Sequence, residues 1–299
     1  MAAELPDPLN SWLHRQLGQA VVGRTAVAGG SIHRAWRLEL ASGGVVFAKT
    51  NEAEDLPLLE AEVQGLWALA AHAPEGLVIP EPLAWGVAGG QAVLLLPWLS
   101  LAGGGRVADG SWFALGQGLA GLHRSSAASA PAQGYGWAVD NFIGSAPQIN
   151  GWRQDWGEFF AECRLAPQLA WAAQRGLPLH GGQALLERVP QLLSEHHCQP
   201  VLVHGDLWSG NAGLLTDGRT ALFDPACYWG DREVDLAMAQ LFGGFPPLFF
   251  EGYSSVYPLE QGSRKRVGLY NMYHLLNHYN LFGGGYGKQA QACLDGLLM

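Results

Sequence analysis

The chain has 299 residues, 48% hydrophobic and 14% charged, which is enough apolar material for a sizeable core and excludes a disordered polyampholyte. A formal net charge of −9 excludes nucleic acid as the expected partner, because neutralising phosphates takes clustered Lys and Arg and residues 263–266 are the one basic run. The four cysteines form no Cys-x-x-Cys pair, the N-terminus lacks a signal-peptide pattern, and Pro97 and Ser100 interrupt the longest apolar stretch, so a reduced cytoplasmic protein with no membrane span is expected.

In chain order, the first half reads as a β-sheet with one helix. Residues 25–28, 35–40, 45–50 and 92–96 are strand-like runs, separated by turn signals at Gly29-Gly30-Ser31 and Ser42-Gly43-Gly44. Without a Cβ, Gly29 and Gly30 let backbone amides approach nucleotide phosphates; taken alone, a plain hairpin turn is the simpler reading. Lys49 sits among apolar neighbours in its strand, where a buried ammonium needs a counter-charge or an anionic ligand. A helix over 58–71 supplies Glu60 and Glu62, about 200° apart around the axis. Glu62 shares the face of Leu59 and Leu66 and is the expected partner of Lys49, with Glu60 in solvent. The alternative is an edge lysine that snorkels to water. Pro97-Trp98-Leu99 then leads into a glycine-rich connector, read as a hinge; Pro97 has no N–H, so adenine contacts there fall to carbonyls or to the amides of Trp98 and Leu99.

The segment Val201-Leu-Val-His204-Gly-Asp206-Leu-Trp208-Ser-Gly-Asn211 places a carboxylate and a carboxamide five residues apart after an apolar run. Phosphoryl transfer needs an Asp to take the acceptor hydroxyl's proton and an Asn one short loop later to hold magnesium. Asp217-Gly218 is a hairpin turn signal, and a hairpin here folds Asp224 back beside Asn211 so that both reach one metal. His204 is expected to order the loop without titrating. Asp235 opens an apolar helix, which gives an N-cap as its default role; a bond to the catalytic loop is the other reading. Trp208 offers an aromatic face to a sugar or alkyl amine, and Asn141 and Trp229 are further candidates for the acceptor pocket. His274 and His278 have zinc-compatible i,i+4 spacing, but packing of the last helix is the simpler account.

These residues resemble the fructosamine kinase, or ketosamine-3-kinase, family, near the aminoglycoside and choline phosphotransferases. The His204, Asp206, Asn211 and Asp224 pattern is shared by the wider group. The more specific likeness is Tyr135-Gly-Trp137 with Asp140-Asn141, Pro147-Gln148 and Asn150-Gly-Trp152, followed by Asp155-Trp156, Phe159-Phe160 and Arg164-Leu-Ala-Pro167-Gln168. Trp208 and Trp229-Gly-Asp231-Arg-Glu233-Val-Asp235 extend it, so that it runs from about residue 29 to 287. The resemblance implies an α+β, bilobal protein-kinase-like fold: an antiparallel sheet lobe with one helix (residues 1–98) and a larger, mainly helical lobe (99–299).

It further implies ATP-dependent phosphorylation of the 3-hydroxyl of ketosamines, free or on glycated proteins, as a deglycation step, with Mg2+ as cofactor. Asp206 would be the base, and Asn211 and Asp224 the magnesium ligands. Lys49 and Glu62 would grip phosphates, with Gly29, Gly30 and Ser31 in the phosphate loop. Two departures stand out: Ser31 replaces a cysteine of several relatives, so no redox switch of that type is expected, and Pro97 replaces a usual hinge glutamate. No membrane partner is expected, and the chain is expected to be a monomer or weak homodimer. The competing readings are an aminoglycoside- or choline-type phosphotransferase, which calls for an acidic cleft, and an inactive binding protein of kinase fold.

Overall fold

The computed structural model describes residues 7–27, 33–102 and 109–299. Its first part comprises α1 (Asp7–Leu17), β1 (Val21–Val27), β2 (Arg34–Leu40), β3 (Val45–Glu52), α2 (Leu56–Ala70), β4 (Leu77–Val78), β5 (Ala84–Ala88) and β6 (Gln91–Pro97). Five of these strands form an antiparallel sheet in the order β1-β2-β3-β6-β5. Helix α1 and strand β5 go beyond the sequence reading.

Side-chain alternation along β3 decides where Lys49 goes. Val46 and Ala48 join Leu38, Val93 and Leu95 in a core capped by Leu9, Trp12 and Leu13 of α1. Phe47 and Lys49 fall on the other face, towards α2. Leu59, Val63 and Leu66 line the buried face of α2 at helical spacing, and Glu62 lies within that stripe.

The second part contains α3 (Asp109–Ala127), β7 (Asn141–Ile143), β8 (Ala146–Gln148), α4 (Trp156–Phe159), α5 (Ala166–Gln174) and α6 (Gly182–Leu193). A π-helical turn, Phe160–Leu165, joins α4 to α5. Then follow β9 (Val201–Val203), β10 (Ala212–Leu214), β11 (Thr220–Leu222), β12 (Tyr228–Gly230), α7 (Glu233–Leu241), α8 (Pro247–Val256), α9 (Ser263–Phe282) and α10 (Tyr286–Leu298). The two parts share one core: Leu59, Leu66 and Leu94 pack with Leu115, Leu119, Leu222 and Phe249. Each such buried side chain contributes roughly 1.5–3 kcal/mol. Strand β4 pairs in parallel with β11, tying the chain after α2 to the helical part. Helices α3 and α8 cross so closely that a Cβ at Gly116 would lie 2.0 Å from the Phe249 carbonyl oxygen. Among the described residues no helix is long and apolar enough to cross a membrane.

Candidate active site

Strand β9, buried along its length and paired with β12, delivers the chain into His204-Gly205-Asp206. Gly205 has φ +80°, and a Cβ there would lie 2.1 Å from the Ala226 carbonyl oxygen, so both backbone and space require glycine. The His204 and Gly205 amides donate to the two oxygens of Asp235 at 2.7 and 2.8 Å. Asp235 is therefore no N-cap: α7 begins at Glu233, and the carboxylate, inside the first turn, faces the loop. Burial works against its ionisation, but His123 at 3.1 Å, together with His204 and the Gly205 amide, holds its pKa below the ordinary value. Burial lowers the pKa of His204, whose Nδ1 accepts from the Asp206 amide while Nε2 donates to the Phe223 carbonyl.

After Asp206, the 3-10 turn Ser209–Asn211 brings Asn211 back so that its Nδ2 donates to the Asp206 carbonyl at 2.9 Å and to Asp206 Oδ2 at 3.1 Å. The β10–β11 hairpin returns the chain, and the Phe223 amide bonds the Asn211 carbonyl at 3.1 Å. Asp224 then stands in the left-handed region at φ 58°, a conformation costing a side-chain-bearing residue about 1–2 kcal/mol and concentrated at functional sites. Lys49 Nζ lies 2.7 and 2.9 Å from the Glu62 oxygens and 2.5 Å from Asp224 Oδ1. Burial opposes its charge, but the two carboxylates outweigh it and keep Lys49 protonated. Burial pushes Glu62 up to about 7 against the pull of Lys49. Asp206 is pushed up to about 7 by burial and by the charge of Asp224.

These groups line one cavity of about 870 Å3, walled on the sheet side by Val27, Ala35, Phe47 and Leu96 and by Pro97, Trp98 and Leu99, the segment expected to be the hinge. Trp208 is 37% exposed at its rim, with its indole lying over Gly210, where a Cβ would come within 2.2 Å of the ring. Asn141 lies in the wall with its carboxamide committed: Nδ2 donates to the Cys227 carbonyl, and Oδ1 accepts from Gln148 and Asn150. Arg164, fully buried against the Tyr228 ring, bonds the Ile149 carbonyl and Asn150 Oδ1. Much of the 135–168 block is thus scaffold that fixes the cavity wall. Trp229, expected in the acceptor pocket, is not among the described lining residues; it bridges Gly136 and meets the His72 ring edge-on. Gly29, Gly30 and Ser31 lie outside the described residues.

Sequence reasoning missed His33 and Phe223 and the far wall of Phe242, Asn277, His278, Phe282 and Tyr286. That wall comes from the end of α7, from α9 and from α10, and no local motif joins the three. A separate group, His196, Cys198 and Asp231, brings metal-type ligands together, but Asp231 already accepts from His196, Tyr270 and the Glu233 amide.

The donor set suits magnesium. Asn211 directs its N–H groups at Asp206 and Asp224, which leaves its Oδ1 without a protein partner among the described residues, and Asp224 adds carboxylate oxygen. Hard oxygen donors of this kind favour Mg2+. Asn211 and Asp224 would hold the ion.

A sheet-plus-helix lobe over a helical lobe, with Lys49, Glu62, Asp206, Asn211 and Asp224 converging between them, defines a phosphotransferase of the protein-kinase-like class. A thermostable mutant of the aminoglycoside phosphotransferase APH(4)-Ia shares this fold, with TM-score 0.63 at 18% identity over 97% of this chain and 98% of that one. The chain belongs to the fructosamine kinase family, whose model matches residues 7–299. It is 45% identical over 271 residues to a Synechocystis protein described as a ketoamine kinase, covering 91% of this chain and 88% of that protein. It also resembles the crystal structure of a protein described as a fructosamine-3-kinase from Haemophilus somnus, with TM-score 0.87 and 29% identity over 98% of this chain and 97% of that one.

Proposed function

We propose that the chain is an ATP-dependent ketosamine 3-kinase that phosphorylates the sugar 3-hydroxyl of glycated amines, free or on proteins, and so starts their deglycation. The observation that carries this reading is the placement of Asp206 and Trp208 in the same cavity as Lys49 and Asp224, with no carboxylate among the described lining residues beyond Glu62, Asp206 and Asp224. An aminoglycoside acceptor calls for more negative charge than that. An inactive binding protein would have no reason to keep the whole set.

In this mechanism Asp206 accepts the proton of the 3-hydroxyl as its oxygen bonds the γ-phosphorus of ATP and the bond to the ADP oxygen breaks. Its raised pKa suits a base working near neutrality. Asn211 donates to Asp206 Oδ2, orienting the carboxylate, while Lys49, fixed by Glu62, offers positive charge to the nucleotide phosphates. A bound magnesium ion supplies neutralisation of phosphate charge. Residues 1–98 serve as the ATP-binding lobe and 99–299 as the catalytic and acceptor lobe. We assign a reducing, cytoplasmic setting, in keeping with four free cysteines, and a monomer or weak homodimer. The test is magnesium-dependent ATP consumption with ribulose-lysine, fructose-lysine, choline and kanamycin; inactivity with both ketosamines rejects the proposal.

A further inference from the structure

Away from Lys49 and the catalytic loop, the cavity wall carries no carboxylate among the described residues. Glu62, Asp206 and Asp224 are the only described lining residues of that type, and they sit with Lys49 and the catalytic loop. A ketosamine carries a protonated secondary amine at neutral pH, and a cation entering a low-dielectric cavity needs another partner.

The far wall offers one. The His278 ring is enclosed by Phe242, Tyr286 and Phe282, with ring centroids 4.5, 5.2 and 5.7 Å away. His278 Nδ1 lies 2.9 Å from the His274 carbonyl oxygen one turn earlier, a bond that only an Nδ1–H makes. Burial lowers the pKa of the ring, outweighing that bond, so the ring is neutral and Nε2 carries a lone pair with no protein partner among the described residues. A neutral imidazole accepts a hydrogen bond from an ammonium, which a protonated one would repel. Phe242 and Tyr286 add aromatic faces of the kind that attract cations. This wall adjoins the catalytic loop: a Cβ on Gly244, two residues past Phe242, would lie 2.3 Å from Ser209 Oγ, next to Trp208.

We propose that Phe242, His278 and Tyr286 form the amine subsite, in which His278 Nε2 accepts from the ketosamine ammonium and the two rings stack against its charge. This rests on the ketosamine reading above and adds a specificity-determining residue, His278, to it. The subsite selects one substituted ammonium and disfavours polycations, which need several carboxylates.

The test compares ribulose-lysine with its isosteric analogue bearing an ether oxygen in place of the amine nitrogen. Wild type is expected to show a KM at least about tenfold higher for the ether, as the loss of a charge-assisted hydrogen bond implies. His278→Phe keeps the ring volume and removes the acceptor. It should raise the amine KM by about tenfold while leaving kcat, the ATP KM and the ether KM within about twofold. His278→Gln, with an amide oxygen near the Nε2 position, should restore most of the amine affinity. Phe242→Leu, at a partly exposed ring, is the second variant and should also raise the amine KM alone. An unchanged amine KM in His278→Phe and Phe242→Leu, or equal rises for amine and ether, overturns the subsite. Wild type inactive on every ketosamine overturns the substrate reading and the subsite with it.

Discussion

Lys49 and Asp224 are 175 residues apart in sequence, yet the ammonium of one lies 2.5 Å from the carboxylate of the other. Glu62 closes the same ammonium from α2. One cation therefore joins the sheet, the helix and the end of the β10–β11 hairpin.

Lys49→Met leaves two carboxylates facing each other. Turnover should fall at least about a hundredfold, the scale for losing a group aimed at transferring charge. Stability at pH 8 should fall by about 3–5 kcal/mol, since one member of a buried pair is gone. Adding Glu62→Gln should regain most of the stability and none of the activity, as read by urea unfolding and a coupled ATPase assay.

Asp206 makes an opposite prediction about stability. Its folded pKa, pushed up to about 7 from 3.8, means that the folded state binds an extra proton between those values. The stability this carboxyl contributes is present at low pH and lost as pH rises through about 7. In metal-free buffer Asp206→Asn should therefore match wild type near pH 4 and exceed it by about 1–3 kcal/mol at pH 8, after allowance for its partial exposure to the cavity. An equal or lower stability at pH 8 contradicts the assigned environment.

Asp235 works in the usual direction. Its pKa is held down, so its contribution is present above the ordinary carboxylate range and is lost as pH falls through the lowered value. Asp235→Asn should cost about 2–4 kcal/mol at pH 7, with the gap to wild type closing as the pH falls below the ordinary carboxylate range. Because the His204 and Gly205 amides lose a charged acceptor, kcat should fall as well. Urea titrations at several pH values check the first point and initial rates the second.

The sequence carried the chemistry more clearly than the architecture. Asp206, Asn211 and Asp224 were legible because a short loop and one hairpin fix their relative positions locally, and Glu62 because helical spacing places it on the buried face with Leu59 and Leu66. The far wall of the cavity was not. Phe242, His278 and Tyr286 meet only through packing of α7, α9 and α10, and a helix carrying His274 and His278 reads the same whether its face meets a core or a cavity. Trp229 misled for a related reason: a tryptophan near a motif signals an apolar surface without saying whether protein or ligand covers it. Asp235 turned on a three-residue difference in where α7 begins.

Of the two tryptophans expected in the acceptor pocket, Trp208 does stand at the cavity rim. Trp208→Ala should raise the ketosamine KM by about tenfold through loss of stacking area, with the ATP KM unchanged. Gly210→Ala, which forces the indole off its seat, should act in the same direction. Steady-state kinetics with each substrate varied in turn decides both.

The central claim is transfer of the γ-phosphate to the 3-hydroxyl of a ketosamine. It is tested most directly by phosphorus–proton correlation NMR on the product of wild-type protein, ATP, Mg2+ and ribulose-lysine. A phosphorus resonance coupled to the sugar H3, absent with Asp206→Asn, is the predicted result. A phosphate coupled to another proton, or no phosphorylated ketosamine at all, would contradict the account.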